Sequence, residues 1–167
     1  WNVRGLNNLV KRASVCEMAT THKAAILCLQ ETKIEVWTPN LVREIGGALL
    51  QDCIALPAID TCGGAAILWN RDVVSVDSHA IGIFAIMAKV KWHGQQEGFW
   101  LSSVYGPADD ARKEAFLLEL SRTAPPTPEP WLINGDFNLI YEARDKNNLN
   151  LNRRQWVDLD RRSTTRD

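Results

Sequence analysis

At roughly 100 to 200 residues per domain, a chain of 167 residues has room for one core and little more. Apolar residues at 46% and charged residues at 23%, with 10 Gly and 7 Pro, exclude a chain disordered along its length and a collagen-like one. The net charge of −1 hides a division: residues 143–167 carry seven basic and four acidic groups, +3, which leaves −4 for residues 1–142.

The predicted elements alternate. Trp1 to Val3 reads as the end of a strand, and a turn at Gly5 to Asn8 leads into a helix whose apolar stripe is Leu9, Ala13, Cys16 and Thr20. Ala24 to Leu29 is a continuous apolar run of strand length, the pattern of a strand buried on both faces, and it puts Glu31 at a strand tip. Thr38-Pro39 has the form of an N-cap followed by proline at the first helical position, with Leu41, Val42, Ile45 and Leu49 after it at helical spacing. Gly63-Gly64 supplies a turn between strands at Cys53 to Ala58 and Ala65 to Trp69.

Val73 to Val76, Ile81 to Val90 and Phe99 to Tyr105 follow as β-branched and aromatic strands, so the middle third is predicted to be an antiparallel meander. Asp109 or Asp110 caps a helix running through Ala124, with Ala115, Phe116, Leu118 and Leu120 toward the core. Four prolines between 125 and 130 force an extended connector. Trp131 to Asn134 resumes a strand, Gly135 turns the backbone, and Asp136 and Asn138 sit where that strand ends. Beyond Arg144 the alternation fades, and the basic tail reads on charge alone as a solvated helix end, with phosphate contact as its alternative.

Charge-free stretches reach only eleven residues, at Ser78 to Ala88 and Gly98 to Ala108, against the 20 or so that a membrane-spanning helix needs, so no membrane partner is expected. Cysteines at 16, 28, 53 and 62 form no Cys-x-x-Cys pair, which argues against a zinc ribbon or redox couple and for reduced thiols in an intracellular protein, nuclear or cytoplasmic.

Asn2, Glu31, Asp136 and Asn138 all stand at the ends of apolar strands. Such groups are costly to bury unpartnered, so their grouping means either a hydrogen-bonded network or a metal and phosphate site. Carboxylates with an amide, and no Cys or His beside them, are hard oxygen ligands suited to Mg²⁺ rather than zinc. Tyr105, at another strand end before Gly106-Pro107, has a hydroxyl able to donate to a phosphate oxygen, or is core filler with a wet tip.

Four segments, Trp1-Asn2-Val3-Arg4-Gly5-Leu6, Leu29-Gln30-Glu31-Thr32-Lys33, Val104-Tyr105-Gly106-Pro107 and Asn134-Gly135-Asp136-Phe137-Asn138, resemble in their order the motifs of the endonuclease/exonuclease/phosphatase superfamily. Their wording is most similar to the apurinic-endonuclease-like domain of plant LINE-type retrotransposons. The resemblance implies an α/β fold: a two-sheet α/β sandwich, DNase I-like, over residues 1–147, with a basic, weakly structured tail over 148–167.

It further implies that Glu31 and Asn2 hold a catalytic Mg²⁺, with Mn²⁺ the substitute ion. Tyr105 would touch the scissile phosphate, Asp136 would orient or deprotonate the attacking water, and Asn138 would hold the phosphoryl group. The implied activity is Mg²⁺-dependent phosphodiester hydrolysis of nucleic acid, with DNA the expected partner and a monomer the expected state. Two departures stand out. Arg4 occupies a place where many cellular relatives carry an acid, and no histidine follows His93, whereas the family closes on a strand bearing Ser-Asp-His. The C-terminal strands are therefore expected to be missing and the hydrolysis impaired. The alternatives are a non-catalytic remnant that at most binds nucleic acid or metal, and a phosphatase of small phosphate esters.

Overall fold

The computed structural model describes residues 1–59 and 63–139. Contacts divide the chain into two units, Trp1–Phe137 and Asn138–Asp167, and every helix and strand below belongs to the first. The expected domain boundary at 147, the basic tail and any further C-terminal strands lie outside the described residues, as does Cys62.

The first unit is an α/β two-sheet sandwich. Strands β1 (Ile26–Gln30), β2 (Asp52–Leu56) and β3 (Ala65–Trp69) form one sheet in the order β1-β3-β2, wholly antiparallel. Strands β4 (Val74–Ile81), β5 (Ala85–Trp92), β6 (Phe99–Tyr105) and β7 (Trp131–Asp136) form the other in that order. The pairs β4–β5 and β5–β6 are antiparallel, and β6–β7 is parallel. The predicted meander thus holds for β4 to β6, while β2 and β3 belong to the opposite sheet.

Residue parity divides the core into two layers. On β3, the central strand of its sheet, Ala66 and Leu68 face helices α1 (Leu9–Thr21) and α2 (Pro39–Gly46) and pack with Val15, Ala19, Leu41, Ile45, Leu6 and Leu29. Ala65 and Ile67 face the second sheet and pack with Val74, Ile86, Val90 and Leu101. Being buried on both sides is why β3 reads as an unbroken apolar run.

Several predicted details are corrected. Helix α1 begins after Asn8, whose side chain accepts from the Val10 amide, but it buries Val15 and Ala19 rather than the expected stripe. Leu9 is 65% exposed, and Ala13 and Thr20 face solvent. Apolar residues surround this helix, so several stripes fit its sequence; α2 selects the face, with Arg12 bonded to Glu44 across the pair. Helix α2 follows the capping prediction, Thr38 Oγ1 accepting from the Leu41 amide at 3.2 Å, although Leu49 lies beyond its end.

The predicted strand Ile81 to Val90 is two strands joined by a turn at Gly82. The turn is fastened from 35 residues away: the Glu119 carboxylate accepts from the amides of Ile83 and Phe84, each at 2.9 Å. His79, between the predicted strands Val73 to Val76 and Ile81 to Val90, lies on β4. Asp109 caps a short 3₁₀ turn, Asp110–Arg112, which leads into α3 (Lys113–Thr123). That helix buries only Phe116, edge-on to Phe84 and Phe137, while Ala115 and Leu118 are exposed and Leu120 is half-buried. Strand β7 continues through Gly135 to Asp136 instead of turning at Gly135.

Cys16, Cys28 and Cys53 are free and half-buried. Burial, with the Asp52 charge beside it, pushes the Cys53 thiol up to about 12 from its ordinary value near 9. A folded-state pKa above the unfolded one means that this thiol's contribution is intact below about pH 9 and is lost as pH rises toward 12. The slope is at most about 1.4 kcal/mol per pH unit. Thermal unfolding followed from pH 8 to 10.5 is expected to show a steeper alkaline fall in midpoint for the wild type than for Cys53→Ala.

Candidate active site

The ends of β1, β6 and β7 and the start of β3 converge at one edge of the sandwich, and the N-terminal segment completes it. Trp1 to Val3 runs parallel beside β1: Asn2 bridges to Gln30, the Gln30 amide donates to the Trp1 carbonyl, and the Val3 amide donates to the Gln30 carbonyl, both at 3.0 Å. The chain then turns sharply, with Arg4 at φ 49° and Gly5 at φ 95°. It follows the backbone after β1, the Gly5 amide on the Glu31 carbonyl and the Leu6 amide on the Thr32 carbonyl, both at 2.7 Å.

This path carries the Asn2 side chain across to the second sheet. Its Nδ2 donates to Asp136 Oδ2 at 2.8 Å, linking residues 134 positions apart, and its Oδ1 accepts from the Arg4 amide at 3.1 Å. Asp136 is the register partner of Tyr105, and the Gly106 amide donates to the Asp136 carbonyl at 2.7 Å. A β7 strand that ends here therefore presents its carboxylate beside the tyrosine.

Glu31 sits one residue past β1 with a left-handed backbone, φ 55°, and its carboxylate lies 3.3 Å from Lys33 Nζ. The segment is clamped from the other side: the amides of Thr32 and Lys33 donate to the carbonyls of Gly64 and Gly63 at 3.1 Å. Gly63 also lies against the Tyr105 ring, where a Cβ would stand 3.6 Å from a ring carbon. Thr32 Oγ1 is buried with no hydrogen-bond partner among the described residues, and a Cβ on Gly64 would press into it at 2.6 Å. The glycine pair that reads as a hairpin signal thus has a second role, allowing close approach to the Glu31 corner.

Of the five predicted site residues, Asn2 and Asp136 are in direct contact, Tyr105 is paired with Asp136 in the sheet, and Glu31 stands one residue beyond the Asn2–Gln30 bridge. Asn138 begins the second unit, with φ 48°. Two participants were not predicted. Lys33 pairs with Glu31, a contact hinted at by the i, i+2 spacing of opposite charges. Gln30, 1% exposed, donates through Nε2 to Ser103 Oγ on the second sheet at 2.8 Å.

The donor set suits a hard divalent cation. Among the described residues no three His, Cys, Asp or Glu side chains gather as a cage, and Mg²⁺ asks for none, since one or two carboxylates and several waters suffice. Glu31 would hold the ion, with the second lone pair of Asn2 Oδ1 as a further oxygen donor.

A family model for the Endonuclease/Exonuclease/phosphatase family matches residues 1–166. The chain belongs to this family. Enzymes of the family act as nucleases or phosphatases and generally use divalent metals. Solved structures with the same fold include a mannosyl-6-phosphatase from Bacteroides thetaiotaomicron, 16% identical over 82% of this chain and 63% of that one, with a TM-score of 0.61. The human Nocturnin catalytic domain with bound sulfate is 17% identical over 84% and 62%, TM-score 0.60. D. rerio TDP2 complexed with a single-strand DNA product is 20% identical over 84% and 59%, TM-score 0.57. This member of the family thus spans about three-fifths of the length of these structures. No curated protein matches it. No helix among its described residues is long and apolar enough to cross a membrane.

Proposed function

We propose that this family member is a Mg²⁺-dependent phosphodiesterase of nucleic acid, of the retrotransposon endonuclease type, with DNA as the substrate and the monomer as the working state. The observation that carries the reading is the Asn2–Asp136 hydrogen bond across the mouth of the sandwich, with Tyr105 and Glu31 on the flanking strand ends. The similarity to a TDP2 bound to a DNA product and the Leu29-Gln30-Glu31-Thr32-Lys33 wording support the choice of nucleic acid over a small ester.

In this reading Asp136 accepts a proton from the attacking water. Asn2 supports that role by donating to Oδ2 at 2.8 Å, which fixes the orientation of the carboxylate. Tyr105 donates to a phosphoryl oxygen as charge builds on it. Glu31 would hold a divalent ion, which would supply neutralisation of charge on the phosphoryl and leaving oxygens. Lys33, 3.3 Å from the Glu31 carboxylate, balances its charge.

Among the described residues no imidazole stands beside Asn2 and Asp136. His79 is on β4, at the sheet edge farthest from β7, and the His93 ring nitrogen lies 3.0 Å from the Asp72 carbonyl at a β-turn. A positioned acid typically contributes about 10² to 10⁴ in rate, so hydrolysis by Asp136, Asn2, Tyr105 and Glu31 alone is expected to be slow.

Incubating the protein with supercoiled plasmid tests the reading. Nicking that requires Mg²⁺ or Mn²⁺ and stops on chelation is expected. Phosphate release from soluble inositol phosphates without nicking would assign it to small esters instead, and metal-dependent DNA binding with neither reaction would make it a non-catalytic remnant.

A further inference from the structure

The inner faces of the two sheets change character toward the site. On β1 the residues facing the second sheet run Ile26, Cys28, Gln30, and on β6 they run Phe99, Leu101, Ser103. Each strand thus goes from hydrocarbon to a polar group within three inward positions. The β7 contribution is Asn134, whose Nδ2 lies 3.6 Å from Cys28 Sγ and whose register partner is Ser103.

Gln30 is the junction of this layer. Its backbone holds the Asn2 strand on one side, and its side chain crosses to Ser103, which is fully buried. The Gln30 Oε1 in turn accepts from the Trp1 nitrogen at 2.9 Å. Glu31 is its next neighbour in sequence, and Ser103 lies two residues before Tyr105, the partner of Asp136.

A well-shaped apolar pair in place of two buried polar groups is close to neutral for stability. What dispersion lacks is direction: apolar side chains slide over one another by tenths of an ångström at little expense, whereas a hydrogen bond sets one distance and one angle. We infer that Gln30 is a positioning residue, which through Ser103 sets the spacing between the sheet bearing Asn2 and Glu31 and the sheet bearing Tyr105 and Asp136. The Asn2–Asp136 hydrogen bond depends on that spacing. The catalytic part of this inference rests on the function proposed above.

The test uses the whole chain and the variants Gln30→Met, Ser103→Ala, Ser103→Thr and the Gln30→Met/Ser103→Ala double, with two readouts. The first is the ¹⁵N NMR signal of the Asn2 side-chain amide without metal, which in the wild type is shifted and slow to exchange because Nδ2 is held by Asp136. Gln30→Met and Ser103→Ala are expected to lose that signature while unfolding within a few degrees of the wild type, and Ser103→Thr, which keeps the hydroxyl, retains it.

The second readout is plasmid nicking. Gln30→Met and Ser103→Ala each lower kcat about 10-fold or more with KM unchanged, the scale of a misplaced reacting group, and the double variant falls no further. An Asn2 signal identical to wild type in a folded Ser103→Ala or Gln30→Met protein overturns the inference. A wild type that never nicks DNA while the Asn2 signal follows the expected pattern overturns the proposed function and supports the positioning role.

Discussion

Asp136→Asn is expected to reduce metal-dependent nicking by about 10² to 10⁴ while leaving the protein folded. The asparagine keeps the shape of the side chain and an amide oxygen that accepts from Asn2 Nδ2, so the 2.8 Å link across the two sheets survives in weaker, uncharged form. The expected loss of stability is that of a charged hydrogen bond becoming a neutral one, about 1 kcal/mol. What disappears is the ability to take a proton from water. The measurement is single-turnover nicking of supercoiled plasmid beside a thermal unfolding curve for each protein. Equal rates from wild type and Asp136→Asn, with both folded, would remove Asp136 from the chemistry and the enzyme reading with it.

Gly135→Ala should instead abolish the fold of this edge. Gly135 lies within β7 at φ 139°, a conformation that L side chains rarely adopt, and a Cβ there would stand well inside van der Waals contact distance of the Val104 carbonyl oxygen. The obstacle is backbone in the middle of a parallel strand pair, so no rotamer change relieves it. Either β7 separates from β6 or the strand twists, and both displace Asp136, the next residue, from Tyr105 and Asn2. A loss of several kcal/mol is expected, in the range of strained-backbone and broken-pairing substitutions. Circular dichroism melts will show it as a drop in midpoint well beyond that of Asp136→Asn. A Gly135→Ala protein that melts like the wild type would mean that β7 does not approach β6 as described.

The two substitutions separate what the adjacent residues do. One removes a charge from an intact scaffold, and the other removes the scaffold from an intact charge. Loss of nicking in both, with a large loss of stability in the second alone, is the pattern expected of a site built on a strand end.

Local chemistry was enough to predict many of the elements. The Thr38-Pro39 cap, the apolar run that becomes β1 and the strand ending near Asp136 each depend on neighbours within a few residues, and each appears in the structure. The candidate residues were legible because their sequences combine an apolar run with a polar tip, a pattern that burial penalties make conspicuous.

Sequence could not determine which face of α1 goes inward, because apolar residues surround the helix and only its packing on the β1–β3 sheet and α2 chooses Val15 and Ala19 over Leu9 and Ala13. It could not divide Ile81 to Val90 into two strands, because the group that holds the turn is Glu119, in a helix 35 residues later. It gave Gln30 and Ser103 no role, since a polar residue near a strand end reads alike whether it meets water or, 73 positions away, a partner across a buried interface. What the sequence determined by itself is which residues carry chemistry, through their types and their places at strand ends. That Asn2 touches Asp136 across 134 intervening positions was decided by the packing of one sheet on the other, since pairing between distant segments exists only once the chain between them has folded.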